Sequence, residues 1–177
     1  MQALCVLLKK VLTKSGNLGS MGAMKTKTIG LTLALSLLAG AACFAADPQM
    51  GTWKLNEAKS KLPREMPKNH TVVYAVAGNK VKVTVDGTLP DGKPTHNDWT
   101  GKFDGKYYPV TGDPTSDARA YKKVNANTLE LMVKKGGKVT STGRIVVSAD
   151  GKSRTINVSG TDAKGKKFKS MGVYDKQ

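Results

Sequence analysis

The sequence is poor in cysteine, histidine and long apolar segments, and each shortage excludes a class of protein. Its 177 residues include 2 cysteines, Cys5 and Cys43, and 2 histidines, His70 and His96. Because both cysteines lie before residue 47, disulfide bonds cannot stabilise the rest of the chain. Two histidines without a defined third ligand make a poor metal centre, so we predict no metal and no cofactor.

Motifs for catalysis are missing as well. The chain has no Gly-x-Ser-x-Gly elbow and no phosphate-binding glycine loop ahead of a helix. The carboxylates of Glu57, Glu65 and Glu130 are isolated in the sequence. We therefore predict no catalytic residues and do not expect an enzyme.

Acidic residues are scarce, which leaves the chain strongly basic. Five of the 29 Lys and Arg residues and none of the 13 Asp and Glu residues lie before residue 47, so the remainder carries 24 − 13 = +11 charges. This balance favours contact with anionic surfaces, whereas no motif of a nucleic-acid reader is present. The lysines are mostly spread along polar strand positions. Their one cluster surrounds the last turn and comprises Lys164, Lys166, Lys167 and Lys169.

The segment 24–45 has the layout of a secretory signal peptide. Lys25 and Lys27 precede an apolar run over 29–42, and small residues lead to a cleavage position after Ala45. The run is too short to span a bilayer comfortably, so we predict export to the periplasm or medium without a membrane span in the mature chain. Residues 1–23 are interpreted as a misassigned start or a long basic region. A lipid anchor on Cys43 is the less favoured alternative, because the tripeptide before it, Gly-Ala-Ala, lacks the usual leucine.

From residue 51 onward, turn-forming residues divide the chain into short segments. Asp-Gly and Gly-Gly pairs are favoured in tight hairpins, because both central residues of a type I′ turn need positive φ. The spacing leaves room for strands of about six to ten residues and little else. Predicted strands lie near 52–56, 70–77, 80–89, 94–103, 106–111, 117–124, 127–135, 138–149, 153–161 and 166–175, with a helical turn at 57–61.

Alternation gives these strands one apolar face each. Val81, Val83 and Val85 point one way while Lys80 and Lys82 point the other. Such a sheet must cover itself, so we predict that residues 46–177 form one all-β domain, an antiparallel up-and-down meander of about eight to ten strands. Closure into a barrel is favoured over a sandwich because it removes exposed edges. A barrel of this size holds side chains or one small ligand.

The aromatic residues are the candidates for lining a pocket. We predict ligand contacts from Trp99, Tyr74, Phe103 and Tyr121, with plain core packing as the alternative. His96 and Asp98 are the nearest approach to a catalytic pair, since residues two apart on a strand share a face. That face is predicted to be the solvent side, so an active site at the barrel mouth is the least favoured hypothesis.

The Gly51-Thr52-Trp53 segment resembles the start of the first strand in lipocalins and the wider calycins. The resemblance implies that Trp53 closes one end of the barrel. In that family an arginine of the last strand often stacks on the tryptophan, and here the last predicted strand offers Lys169 instead. Most of the domain is similar to uncharacterised exported lipocalin-like bacterial proteins, through segments 51–56, 91–94, 108–112, 136–139, 147–152 and 173–174.

Two functions follow as hypotheses. The first is a binding module that holds a small apolar or amphipathic molecule inside the barrel. The second is a basic protein of the cell envelope that associates with anionic surface polymers or lipids and has no internal ligand.

Overall fold

Ten antiparallel strands form a closed barrel in the order of the chain. The computed structural model describes residues 47–162 and 164–177, so the predicted signal peptide, Cys43 and residues 1–23 lie outside the described residues. The strands are β1 Gly51–Leu55, β2 Lys68–Ala77, β3 Lys80–Thr88, β4 Pro94–Gly101, β5 Tyr108–Thr111, β6 Ala118–Asn125, β7 Thr128–Lys135, β8 Lys138–Val147, β9 Ser153–Thr161 and β10 Lys167–Lys176. A short 3-10 helix covers Glu57–Lys59.

Pairing between the first and last strands closes the barrel. Trp53 lies opposite Lys176, and Leu55 lies opposite Tyr174. The predicted antiparallel meander and its closure are therefore confirmed. None of the helices in the described ranges is long and apolar enough to cross a membrane.

The chain leaves β4 earlier than the alternation predicts. The strand ends at Gly101 instead of residue 103, and β5 begins at Tyr108 instead of residue 106. The connection folds back on itself because Asp104 accepts hydrogen bonds from the Lys106 backbone N–H at 3.0 Å and from the Tyr108 hydroxyl at 2.9 Å. Phe103 thus reaches the interior from a loop and not from a strand.

The up-and-down topology gives the barrel two distinct ends. We call the end with the β1–β2, β3–β4, β5–β6, β7–β8 and β9–β10 connections the mouth end, and the opposite end the closed end. At the closed end the buried Gln49 side chain donates a hydrogen bond to the Asn127 carbonyl at 3.0 Å. The Trp53 indole N–H donates to the Gln49 carbonyl at 2.9 Å, so the segment before β1 covers this end.

The apolar core lies on the predicted inner faces of the strands. Val83 and Val85 of β3 are buried, as are Leu129 of β7 and Ile145 of β8. Burying each such side chain contributes about 1.5–3 kcal/mol, and in a chain without disulfides in its described part this burial is the main source of stability. The alternation thus correctly predicts which side of β3 faces inward.

Candidate functional site

The barrel interior contains a cavity of about 190 Å³ on the mouth side of the core. Its apolar wall comes from strands around the barrel, among them Val72, Val85, Leu131, Ile156 and Val158. The mouth-end connections also contribute to its lining, with Leu62, Met66 and Pro67 from β1–β2 and Asp113, Pro114 and Thr115 from β5–β6. Ligand pockets of drug size span roughly 300–1,000 Å³, so this cavity suits a smaller molecule.

Three tyrosines form the inner boundary of the cavity, Tyr74, Tyr121 and Tyr174. Burial raises the pKa of Tyr74 well above its ordinary value, and the nearby Tyr121 adds to the shift. Burial also raises the pKa of Tyr174, to about 12, against the opposing effect of Arg154. At neutral pH both hydroxyls are therefore uncharged and are able to donate a hydrogen bond.

The four aromatic residues predicted as ligand contacts lie together in one cluster. The ring of Tyr121 is 4.7 Å from that of Trp99, 5.9 Å from that of Phe103 and 6.3 Å from that of Tyr74. Tyr74 and Tyr121 line the cavity. Trp99 and Phe103 pack behind them, with their rings stacked at 6.4 Å, and the Trp99 indole donates to the Arg119 carbonyl at 2.9 Å.

Trp53 lies at the closed end, fully buried between the segment before β1 and an arginine. That arginine is Arg154 of β9, whose guanidinium carbon is 4.7 Å from the centre of the Trp53 ring. Lys176 of β10 lies near the same ring, with its Nζ 5.1 Å from the centre. The last strand thus supplies no arginine to this stack, and Lys169 is exposed; the stacking arginine comes from the preceding strand.

Arg154 is a buried interior residue that the sequence reasoning missed. Only 1% of the residue is exposed, and its guanidinium also lies 4.7 Å from the Tyr74 ring and 5.2 Å from the Tyr174 ring. Its Nε, Nη1 and Nη2 have no hydrogen-bond acceptor among the described residues. Burial lowers its pKa, which the neighbouring tyrosines partly offset. The signal was present in the sequence, since Arg154 continues the inward alternation of Ile156 and Val158.

A second arginine lies in the cavity wall near the mouth end, and it has a counter-ion. The Arg119 guanidinium donates to the Asp113 carboxylate, which also accepts from the Ser116 hydroxyl at 2.6 Å. Burial acts to raise the Asp113 pKa, but Arg119 and the hydroxyl donors outweigh it, so this pKa lies below its ordinary value. Nearby, the Asn97 side-chain oxygen is buried and receives no hydrogen bond from the described residues.

His96 and Asp98 lie on the outer face of the barrel, as predicted. The His96 Nδ1 atom is 2.6 Å from Asp86, and its Nε2 atom is 3.6 Å from Asp98. Asp98 in turn accepts from the Thr84 hydroxyl at 2.7 Å. His70 is bonded to Thr88 instead, at 2.9 Å. Within residues 47–162 and 164–177, no three His, Cys, Asp or Glu side chains are arranged to hold a metal ion.

The similarity of this chain to known proteins is limited to solved structures. No protein-family model matches this chain, and no curated protein sequence matches it. Among solved structures, the chain is similar to a redesigned β-barrel, mFAP1, bound to DFHBI. The match has a TM-score of 0.37 and 15% identity, and it covers 73% of this chain and 95% of that one. At this level the similarity carries no argument about function.

Proposed function

We propose that this protein is an exported binding module that holds a small amphipathic molecule inside its barrel. The cavity of about 190 Å³ carries the proposal, because its wall is largely apolar and is interrupted by a few polar residues, among them Tyr74, Tyr121 and Tyr174. Ligand sites combine these two features, with the apolar surface giving affinity and a few polar groups fixing orientation.

Small residues on the inner face maintain this space. Ser141 of β8 and Ser170 and Gly172 of β10 all line the cavity. Side chains normally fill a small barrel, and larger residues at these three positions would do so here. The interior is thus shaped by its sequence to leave room beside the packed closed end.

The export part of the proposal rests on the sequence of residues 24–45. Mass spectrometry of the protein from its native host tests it directly. We expect a mature chain that begins at Ala46, and a chain retaining residues 24–45 would refute export by this route.

A thermal shift experiment tests the binding function. At a ligand concentration about 100 times Kd, binding stabilises a protein by about 2.7 kcal/mol, which raises Tm by on the order of 10 °C for a domain of this size. We expect such a rise with medium-chain amphiphiles such as octanoate or 4-phenylbutyrate. An unchanged Tm with both, together with no lipid-like molecule extractable from the native protein, would refute the proposal.

The second candidate is association with anionic polymers or lipids of the envelope. Lys164, Lys166, Lys167 and Lys169 are all exposed at the β9–β10 connection, and none forms an ion pair with a described residue. Binding through them should weaken steeply with salt, since charges are screened within about 8 Å at physiological ionic strength. Retention on anionic vesicles that is indifferent to salt would contradict this candidate.

A further inference from the structure

Two neighbouring grooves cross the outer face of the barrel between β7 and β10. The first has a volume of about 540 Å³ and is lined by β8, β9 and β10 near the mouth end. The second has a volume of about 590 Å³ and continues the first across to β7. Thr142, Ser159 and Lys169 line both of them, so the two form one continuous surface, which we call the outer groove.

The pairing of the strands places side chains of the outer groove in one row. Met132 of β7 lies opposite Thr142 of β8. Thr142 lies opposite Ser159 of β9, which in turn lies opposite Lys169 of β10. Since paired strands lie about 4.8 Å apart, the row extends about 14 Å across the barrel surface. A molecule that contacts the whole row must therefore be extended.

The floor of the outer groove is polar but largely uncharged. Thr142, Ser159 and Thr161 provide hydroxyls and Asn157 provides an amide, and all four residues are exposed. Val139 adds an apolar group that is 52% exposed, where the β7–β8 pairing shifts its register. Hydroxyls and amides both donate and accept hydrogen bonds, as the hydroxyls of a sugar do.

Positive charge lies along one side of this floor. Lys167 and Lys169 line the groove from β10, and neither forms an ion pair with a described residue. Glu130 is the only carboxylate among the described lining residues, and Arg144 pairs with it at 3.5 Å. The two lysines are two residues apart on one strand, so their backbones lie about 7 Å apart. The groove therefore presents two uncompensated charges of one sign beside a row of neutral polar groups.

We propose that the outer groove binds an extended acidic polysaccharide whose sugar units carry carboxylates. The carboxylates pair with Lys167 and Lys169, and the sugar hydroxyls bond to the polar floor. Met132 and Val139 contact the C–H faces of the sugar rings, for which a polyphosphate chain has no counterpart. The inference rests on the second candidate function, to which it gives a site and a ligand class, and it is independent of binding inside the barrel.

Matched probes in isothermal titration calorimetry test the inference. Tetragalacturonate is compared with its tetramethyl ester, which keeps the sugar chain without the charge, and with linear tetraphosphate, which keeps charge without the sugar. We expect the acid to bind roughly 5-fold more tightly than the ester, because the ester loses two exposed ion pairs. This preference should shrink at high salt, since exposed charges are screened. The tetraphosphate should bind more weakly than the acid at physiological salt.

Two lysine double variants distinguish the groove from general attraction to anions. Lys167→Gln/Lys169→Gln should lower the affinity for tetragalacturonate roughly 5-fold. Lys54→Gln/Lys80→Gln is the matched control, because it removes the same charge from exposed positions on β1 and β3. The control should change the affinity by less than about 2-fold. All four side chains are exposed, so both variants should keep the Tm of the unaltered protein within a few degrees.

A third variant tests the floor without changing the charge. Thr142→Val/Ser159→Ala should lower the affinity for tetragalacturonate roughly 5-fold, because two hydroxyl hydrogen bonds are lost. An unchanged affinity here, an equal loss in the two lysine variants, equal binding of acid and ester, tighter binding of tetraphosphate, or no binding of tetragalacturonate would each overturn the assignment. Salt-sensitive retention on anionic vesicles would then show that the general association stands without this site.

Discussion

Two arginines lie inside the barrel, and they differ in whether a carboxylate accompanies them. Arg119 donates to the carboxylate of Asp113. The hydroxyls of Ser116 and Thr115 donate to the same carboxylate, so these residues form a closed polar unit near the mouth end. The guanidinium of Arg154 packs against the rings of Trp53, Tyr74 and Tyr174. The first arginine is thus stabilised by a carboxylate and the second by aromatic rings.

The Arg119–Asp113 pair gives a prediction about stability. Arg119→Met leaves a buried carboxylate without its cation, and breaking a buried pair in this way costs about 3–5 kcal/mol. Urea denaturation at pH 7 should show this loss in the free energy of unfolding. The double variant Arg119→Met/Asp113→Asn should recover part of it, because no uncompensated charge remains. A single variant within about 1 kcal/mol of the unaltered protein would contradict the structural role.

The His96 pair gives a prediction about pH. The hydrogen bond to Asp86 raises the His96 pKa above its ordinary value, with a smaller contribution from Asp98. The stabilising interaction is thus fully present below the unfolded pKa of about 6.5, and it is lost as the pH rises through the higher folded value. NMR titration of the imidazole Cε1–H signal should give a pKa above that reference, and Asp86→Asn should lower it. A titration at or below the reference would show that the contact does not persist in solution.

At the scale of elements, the β4–β5 connection depends on the close approach of the Tyr108 and Trp99 rings to the backbone of Gly101. A Cβ atom at Gly101 would lie 2.5 Å from the Tyr108 ring and 2.6 Å from the Trp99 ring. The absence of a side chain lets Tyr108 pack edge-on against Trp99 at 5.8 Å. The same connection brings Phe103 into the aromatic cluster.

We therefore expect Gly101→Val to destabilise the protein by about 1–3 kcal/mol, the usual cost of overpacking a core. The near-UV circular dichroism of the aromatic cluster should change as well. Thr100→Val provides the matched control, because Thr100 is the exposed neighbour in the same strand. Equal stability of the two variants would mean that the packing around Trp99 is looser than the structure indicates.

The strands could be predicted because turns and alternation are visible within short segments of the sequence. Glycine pairs such as Gly136-Gly137 mark turns by their positive φ, and alternation identifies the inner face of each strand. The end of β4 was misplaced because Phe103 continues the alternation although the chain has already turned inward as a loop. Arg154 was overlooked for a different reason. Alternation with Ile156 and Val158 already places it on the inner face of β9, but its aromatic neighbours come from β1, β2 and β10 and are far from it in the sequence.

At the scale of the whole molecule, most of the positive charge lies on the outer surface of the barrel, and the cavity lies inside it. Residues 47–177 carry a net charge of 24 − 13 = +11, most of it on exposed lysines, while the interior holds two arginines and one aspartate among apolar side chains. The outer charge favours anionic surfaces in general. Among the described residues, the interior offers a partly polar volume of about 190 Å³, which is the site that we propose for the ligand.

The most direct test is to fill the cavity without changing its surroundings. Val158 lines the cavity on β9, and Val146 is exposed on the outer face of β8. We expect Val158→Phe to weaken octanoate binding by at least ~10-fold in calorimetry, because the phenyl ring occupies the ligand's volume. Val146→Phe should leave the affinity unchanged. Equal octanoate affinity in both variants and the unaltered protein would show that the molecule binds elsewhere than inside the barrel.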